Sequence, residues 1–136
     1  MKIKLIKDAK MPTRGREGDA WFDVYLLEDV ILKAKESFCL DTGICLELDP
    51  DYAAIFVPRS SSARKGISIS NCLIDSNYRG EVHILGTNHS DSDLIYKKNE
   101  RIASLLIFPI FSGKLEQVEE LSESNRGSDW NGSSGQ

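Results

Sequence analysis

The sequence predicts an all-β domain, a jelly-roll-like antiparallel sandwich or barrel with one short helix. Short stretches of alternating apolar residues recur along the chain, separated about every eight to twelve residues by turn-forming clusters, a spacing typical of antiparallel sheets. Pro50, Pro58 and Pro109 lie at the edges of these stretches, where a missing backbone N–H is tolerated. Helical periodicity is scarce. These three observations favour β-structure throughout.

The predicted elements follow in chain order. Each strand is a short apolar or alternating run: Lys2–Lys7, then residues 22–26, 38–40, 44–48, 54–57, 67–69, 82–85, 94–96 and 101–108. A single helical turn is predicted at residues 60–65, with Ser60 as its N-cap and Ala63 inside it. Leu115, Val118 and Leu121 fit either a short helix or an extended segment.

Length and composition exclude several classes of protein. At 136 residues the chain is one domain with a modest core, and no apolar run is long enough for a membrane span or signal peptide. The net charge of −4 and the missing basic block argue against a nucleic-acid partner, although local arginines could still hold a small polyanion. The three cysteines (Cys39, Cys45 and Cys72) lack metal-site spacing and predict reduced, mostly buried thiols in a cytosol-like compartment.

The last fifteen residues differ from the rest. Ten of residues 122–136 are Ser, Gly or Asn, which predicts a β domain over residues 1–121 followed by a flexible arm over residues 122–136. The arm also contains Arg126 and Trp130, which a purely solvating tail does not need. Composition alone leaves a tail and a lid over a ligand both open.

The stretch from Asn71 to Glu81 carries unusual chemistry for a turn. It reads as strand, turn and strand, with the bend at residues 76–77 and with Gly80 supplying backbone freedom. A carboxylate (Asp75), a phenol (Tyr78) and a guanidinium lie within five residues. An ordinary solvated hairpin and a functional loop are both compatible with this stretch alone.

Together, five short motifs resemble the trimeric deoxyuridine triphosphatases (dUTPases). They are Asp23, Val57-Pro58-Arg59-Ser60-Ser61, Ile74-Asp75-Ser76-Asn77-Tyr78-Arg79-Gly80, Arg101-Ile102-Ala103 and Arg126-Gly127, in the family's order across nearly the whole chain. The resemblance implies the dUTPase-like β-clip fold, Mg²⁺-assisted hydrolysis of dUTP to dUMP and pyrophosphate, and a cytoplasmic homotrimer with sites between subunits. Neither nucleic acid nor membrane is an implied partner.

The resemblance also implies residue roles at the nucleoside. Asp75 matches the aspartate that activates the attacking water, and Tyr78 matches the tyrosine beneath the deoxyribose. The flanking backbone, from Asn71 through Leu73 and Ile74, would read the uracil edge. Cytosine would leave buried polar groups there unpaired, at about 1–3 kcal/mol each.

Further roles are implied at the phosphates. Arg59, Ser60 and Ser61 would hold the phosphate chain from a neighbouring subunit, and Asp23 would support Mg²⁺ through water. In the C-terminal arm, Arg126 matches the arginine that meets the terminal phosphate. The remaining arm positions match small residues close to phosphate oxygens or an aromatic over the base: Gly127, Gly132, Ser133, Gly135 and Trp130.

Some positions depart from the family pattern. Trp21 and Cys72 replace glycines, Ser104 replaces a glutamine, and Trp130-Asn131 stands where Gly-Phe is usual. A dCTP deaminase of the same fold is one alternative, but Leu85 occupies the place of its glutamate and cannot carry protons. A weakly catalytic nucleotide-binding regulatory protein is another. The small size and altered site are compatible with a viral or phage origin.

Overall fold

The computed structural model describes residues 1–125 and 127–128, and these residues form nine strands and one short helix. In chain order they are β1 (Lys2–Leu5), β2 (Trp21–Asp23), β3 (Val30–Leu32), β4 (Ser37–Glu47), β5 (Tyr52–Pro58), α1 (Ser60–Arg64), β6 (Ile67–Ile69), β7 (Glu81–Asn88), β8 (Leu94–Tyr96) and β9 (Ala103–Pro109). The prediction of an all-β, jelly-roll-like domain with one short helix is confirmed.

Three antiparallel sheets enclose one apolar core. Their strand orders are β1-β4-β7-β6, β2-β9-β5 and β3-β8. All three sheets contribute buried side chains to the same cluster, for example Ile84 from β7, Leu105 from β9 and Leu32 from β3. Burying such side chains is the main favourable term in folding.

Two strand predictions are wrong in detail. Strand β3, which pairs with β8, was not among the predicted strands. Strand β2 ends at Asp23, so the alternation predicted through Leu26 does not continue as strand. Leu26 is buried, but its backbone exchanges hydrogen bonds with Glu100 and Asn99 in a loop rather than with a neighbouring strand.

The runs predicted at residues 38–40 and 44–48 belong to a single strand, β4, joined across a bulge. Asp41 pairs with His83 and Ile44 pairs with Val82, so two residues of β4 are left over between these pairs. The Thr42 hydroxyl donates to the Val82 carbonyl at 2.6 Å. Gly43 has φ +67, and a Cβ there would lie 2.6 Å from Ala9 Cβ. The bulge therefore needs glycine at this position.

Two smaller predictions also fail. None of the three cysteines is buried: Cys39 and Cys72 are exposed and Cys45 is half-buried, because the two in β4 lie on its outward face. The N-cap of α1 is Arg59, in extended conformation and without a side-chain cap, so Ser60 is the first helical residue instead. Within the described residues, α1 is the one helix, and it is far too short to cross a membrane.

Candidate active site

A buried carboxylate, Asp23, binds two arginines at the edge of the β2-β9-β5 sheet. Asp23 is 5% exposed. Its Oδ1 accepts a hydrogen bond from Arg59 Nη1, and its Oδ2 accepts one from Arg101 Nη1 at 2.7 Å. The Ser104 hydroxyl donates to Oδ1 at 3.3 Å. Both oxygens are thus occupied, which is how a buried carboxylate is stabilised in its charged form.

Strand register brings these groups together. Asp23 in β2 is the partner of Ser104 in β9, and β5 runs along the other side of β9. Because β5 and β9 are antiparallel, Arg59 just after β5 and Arg101 just before β9 lie at the same sheet edge. The Arg59 amide donates to the carbonyl of Ile102 at 3.2 Å, and Ile102 itself is fully buried. The backbone that carries both arginines is therefore anchored.

Helix α1 begins at this edge and adds hydroxyl groups. Ser60 and Ser61 are exposed, whereas Ser62 turns into the interior. The Ala63 amide donates to the Arg59 carbonyl at 2.9 Å, which closes the first helical turn directly after the arginine. The sequence Arg-Ser-Ser thus places one guanidinium and two hydroxyls next to each other.

A cleft of about 690 Å³ opens over these groups. Its lining residues are Gly15, Arg16, Asp19, Trp21, Asp23, Val57, Pro58, Arg59, Ser60, Ser61, Arg64, Arg101 and Ser104. Four arginines face two aspartates here, so the cleft is positive in a chain whose net charge is −4. Such a cleft attracts a polyanion of small size.

The bend at residues 76–77 is confirmed, but the strand expected before it is wrong. The Tyr78 amide donates to the Asp75 carbonyl at 3.1 Å, which closes the turn. The preceding Ile74 forms an isolated bridge with Ala54 of β5 instead of pairing with β7. The segment before the turn therefore contacts the β2-β9-β5 sheet and not β7. Its Ile74 side chain is buried in the core.

Gly80 has a different role from the one predicted. It is not among the residues with positive φ, so the turn does not depend on its backbone freedom. A Cβ at Gly80 would lie 2.6 Å from Cζ of Tyr78. The tyrosine ring folds back over Gly80, so a side chain there would displace the ring, whose hydroxyl donates to the Glu81 carbonyl at 3.1 Å.

The turn lies beside a second, smaller cleft of about 220 Å³. Its lining residues are Cys72, Leu73, Ile74, Asp75, Tyr78, Glu81, Val82, His83 and Leu85. None of these residues lines the arginine-rich cleft. Within one chain, the structure thus groups Leu73, Ile74, Asp75 and Tyr78 in one place and Asp23, Arg59, Ser60 and Ser61 in another. Asn71 is exposed and lines neither cleft.

An ion-pair cluster holds the start of β7 next to this second cleft. Lys7 Nζ lies 2.5 Å from Asp41 Oδ2 and 2.6 Å from Glu81 Oε2, and these hydrogen bonds raise the pKa of Lys7 to about 12. The hydrogen bond from Lys7 lowers the pKa of Glu81, with help from the Gly43 amide. Asp41, Glu81 and His83 place potential metal-ligand atoms within 4.8 Å of one another, but the Lys7 ammonium already binds both carboxylates.

Several predicted site residues lie in the C-terminal arm. Arg126, Trp130, Gly132 and Ser133 are outside the described residues. Gly127 is described: it has φ +53, and its amide donates to the Ser124 carbonyl at 3.1 Å. Nothing connects the described part of the arm to either cleft.

Sequence reasoning gave no role to some residues that line the larger cleft. Arg101 belongs to the Arg101-Ile102-Ala103 motif, and this motif was the signal that could have assigned Arg101 to the site. Arg16, Asp19 and Arg64 carried no comparable signal, because they reach the cleft only through the folding of a loop and a helix end.

We expect Asp23→Asn to lower the free energy of unfolding by about 1–3 kcal/mol, because two arginines lose a buried charged acceptor. Urea denaturation measures this change. The matched control is Asp93→Asn, which removes an exposed carboxylate that also accepts from a lysine (Lys33 Nζ, 2.7 Å) and a backbone amide (Ala34, 2.9 Å). An equal loss in both variants would show that Asp23 is an ordinary ion-pair partner.

Comparison with known proteins places the chain in a family. A family model for dUTPase matches residues 7–135. The deoxyuridine 5′-triphosphate nucleotidohydrolase of Clostridium acetobutylicum is 42% identical over 139 residues, which cover 99% of this chain and 96% of that protein. The protein of the same name from Paramecium bursaria Chlorella virus 1 is 37% identical over 97% of this chain and 94% of its own length.

The fold comparison agrees with the sequence comparison. The dUTPase of Staphylococcus bacteriophage 80alpha, solved with dUPNHPP, superposes with a TM-score of 0.85 at 30% identity, covering 98% of this chain and 97% of that one. The residues matched by the family model include Asp23, Arg59 and Arg101 as well as the turn that carries Asp75. On sequence and on fold, the chain belongs to the dUTPase family.

Proposed function

We propose that this chain hydrolyses dUTP to dUMP and pyrophosphate. The observation that carries the proposal is the pair of arginines held by buried Asp23 beside the two exposed serines of α1. This arrangement suits a nucleoside triphosphate, and the relatives of the chain are dUTP nucleotidohydrolases by name.

Arg59, Ser60 and Ser61 are proposed to bind the phosphate chain. A guanidinium has five N–H donors, so Arg59 keeps donors for a phosphate while one of them binds Asp23. The ion pair holds the guanidinium in place before substrate arrives. Donors fixed in this way stabilise negative charge that develops in the transition state, with little reorganisation.

The substrate is proposed to be the Mg²⁺ complex of dUTP. Both oxygens of Asp23 already accept hydrogen bonds from Arg59, Arg101 or Ser104, which disfavours direct ligation of the ion by this carboxylate. The triphosphate oxygens would therefore be the main ligands, with Asp23 in contact at most through water. When bound, the ion would neutralise charge on the pyrophosphate leaving group.

Asp75 is proposed to be the general base that activates water for attack on the α-phosphorus. It lines the smaller cleft together with Tyr78, whose ring would lie beneath the deoxyribose. The backbone at Asn71, Leu73 and Ile74 would read the base. Leu85 lines the same cleft, where a deaminase would need a group able to transfer protons, so pyrophosphate rather than ammonia is the expected product.

The enzyme is proposed to be a homotrimer with each site shared between subunits. The argument is the separation of the two clefts: Asp75 and Arg59 line different clefts of one chain, which share no lining residue. A reacting triphosphate must contact both. A cyclic arrangement in which one subunit's turn faces its neighbour's arginine cleft meets this need.

Residues 122–136 are proposed to be an arm that closes over the bound nucleotide. Arg126 would meet the terminal phosphate, and Trp130 would cover the base. Gly127, Gly132 and Ser133 would allow the backbone to approach phosphate oxygens closely.

We expect Asp75→Asn to bind a non-hydrolysable dUTP analogue normally while its kcat falls by about 10²–10⁴-fold, because the amide cannot accept the proton of water. Pyrophosphate release from dUTP measures kcat, and calorimetric titration measures binding. Asp93→Asn, outside both clefts, is the control and should keep wild-type turnover. A turnover of Asp75→Asn within about threefold of wild type would remove the base role.

Deleting residues 125–136 tests the arm. Turnover of dUTP should fall by at least about 10²-fold, because the deletion removes Arg126 from the terminal phosphate and water is no longer excluded from the site. The thermal midpoint should stay unchanged, because residues 110–124, which precede the cut, are exposed and form no strand or helix, so the deletion begins beyond the packed core. Full activity of the truncated protein would contradict the lid assignment.

A further inference from the structure

We propose that Arg16 and Arg64 form a subsite for the β- and γ-phosphates in the arginine-rich cleft. The proposal deepens the proposed function and rests on it. Both side chains line the cleft and are exposed. Within residues 1–125 and 127–128, neither forms an ion pair, whereas Arg59 and Arg101 are both bound to Asp23. Among the described residues that line the cleft, Arg16 and Arg64 are thus the arginines without an ion-pair partner.

The loop before β2 fixes the position of Arg16. The Arg16 amide donates to Asp19 Oδ2 at 2.9 Å, and the Asp19 amide donates to the Arg16 carbonyl at 3.2 Å. In this closed turn, the Asp19 carboxylate accepts its hydrogen bond from the Arg16 backbone amide and not from the Arg16 guanidinium. Asp19 therefore shapes the loop while the guanidinium remains available to an anion.

Arg64 reaches the same cleft from a different element. It is the last residue of α1, and the helix is anchored by Ser62, which is 1% exposed. The next residue, Lys65, turns elsewhere: its Nζ lies 5.0 Å from the centre of the Tyr96 ring, and it does not line the cleft. Of the consecutive residues Arg64 and Lys65, only Arg64 lines the arginine-rich cleft.

The charge balance shows what these two arginines add. Asp23 shares its single negative charge between Arg59 and Arg101, so this trio is left with one positive charge. The short Ser104 side chain donates to Asp23 and offers little to a distant phosphate. A triphosphate carries about four negative charges near neutral pH, since a terminal phosphate titrates near pH 6. Arg16 and Arg64 add two positive charges and Asp19 one negative charge, so the lining side chains together carry two positive charges toward the triphosphate, beside those of the proposed Mg²⁺ and Arg126.

The test uses Arg16→Ala, Arg64→Ala and the double variant, with Arg14→Ala as matched control. Arg14 lies in the same loop as Arg16, but its guanidinium stacks over the Phe22 ring at 4.5 Å and lines a different groove. Calorimetric titration with inorganic tripolyphosphate and with dUMP is the primary measurement. The KM and kcat for dUTP are the second.

Each single variant should bind tripolyphosphate about tenfold more weakly, the effect of losing one charge-assisted contact, and should raise the KM for dUTP similarly. Binding of dUMP should change less than about twofold, because dUMP lacks the β- and γ-phosphates. The loss should shrink as salt is raised, and Arg14→Ala should match wild type throughout.

Unchanged tripolyphosphate binding in the double variant would overturn the proposal, as would an equal loss for tripolyphosphate and dUMP. If the wild-type protein did not hydrolyse dUTP, the proposed function would fail. The tripolyphosphate titration would still decide whether Arg16 and Arg64 form an anion subsite, because it does not depend on turnover.

Discussion

The ion pairs of Asp23 with Arg59 and Arg101 tie the fold of this domain to its chemistry. A carboxylate buried in a sheet is costly unless it is paired, so the two arginines stabilise β2 where it meets β9. In return, the carboxylate fixes two flexible side chains whose remaining donors can face the cleft. The same contacts that satisfy the sheet edge thus hold two guanidinium groups beside the cleft proposed to bind phosphate.

The rest of the domain supplies a second rigid feature at a distance from the first. The turn carrying Asp75 and Tyr78 is held by its own backbone hydrogen bond, by the bridge from Ile74 to β5, and by the hydrogen bond from the Tyr78 hydroxyl to the Glu81 carbonyl. The acidic turn carries the group suited to activating water, and the arginine cleft carries the groups suited to holding phosphates. The two clefts share no lining residue, and this is the structural argument for the proposed site between subunits.

Much of this could be read from the sequence, because alternation and turn residues are local signals. They located most strands, the short helix and the bend before Tyr78. The pairing of Asp23 with Arg59 could not be predicted, since the residues are 36 positions apart and meet only through strand register. The prediction for Gly80 was wrong for a similar reason: the Tyr78 ring lies over this residue, which no backbone rule reveals. Arg16 and Arg64 likewise join the cleft only after folding.

The most direct test of the shared site is subunit mixing. Asp75→Asn and Arg59→Gln subunits are refolded together in equal amounts, with circular dichroism confirming that each variant folds; Ser60→Ala/Ser61→Ala replaces Arg59→Gln if that variant does not. Each variant alone should be nearly inactive. The mixture should regain dUTP hydrolysis at about a quarter of its sites, since a random cyclic trimer pairs an intact turn with an intact cleft that often. A mixture no more active than its separate components would contradict a site shared between subunits.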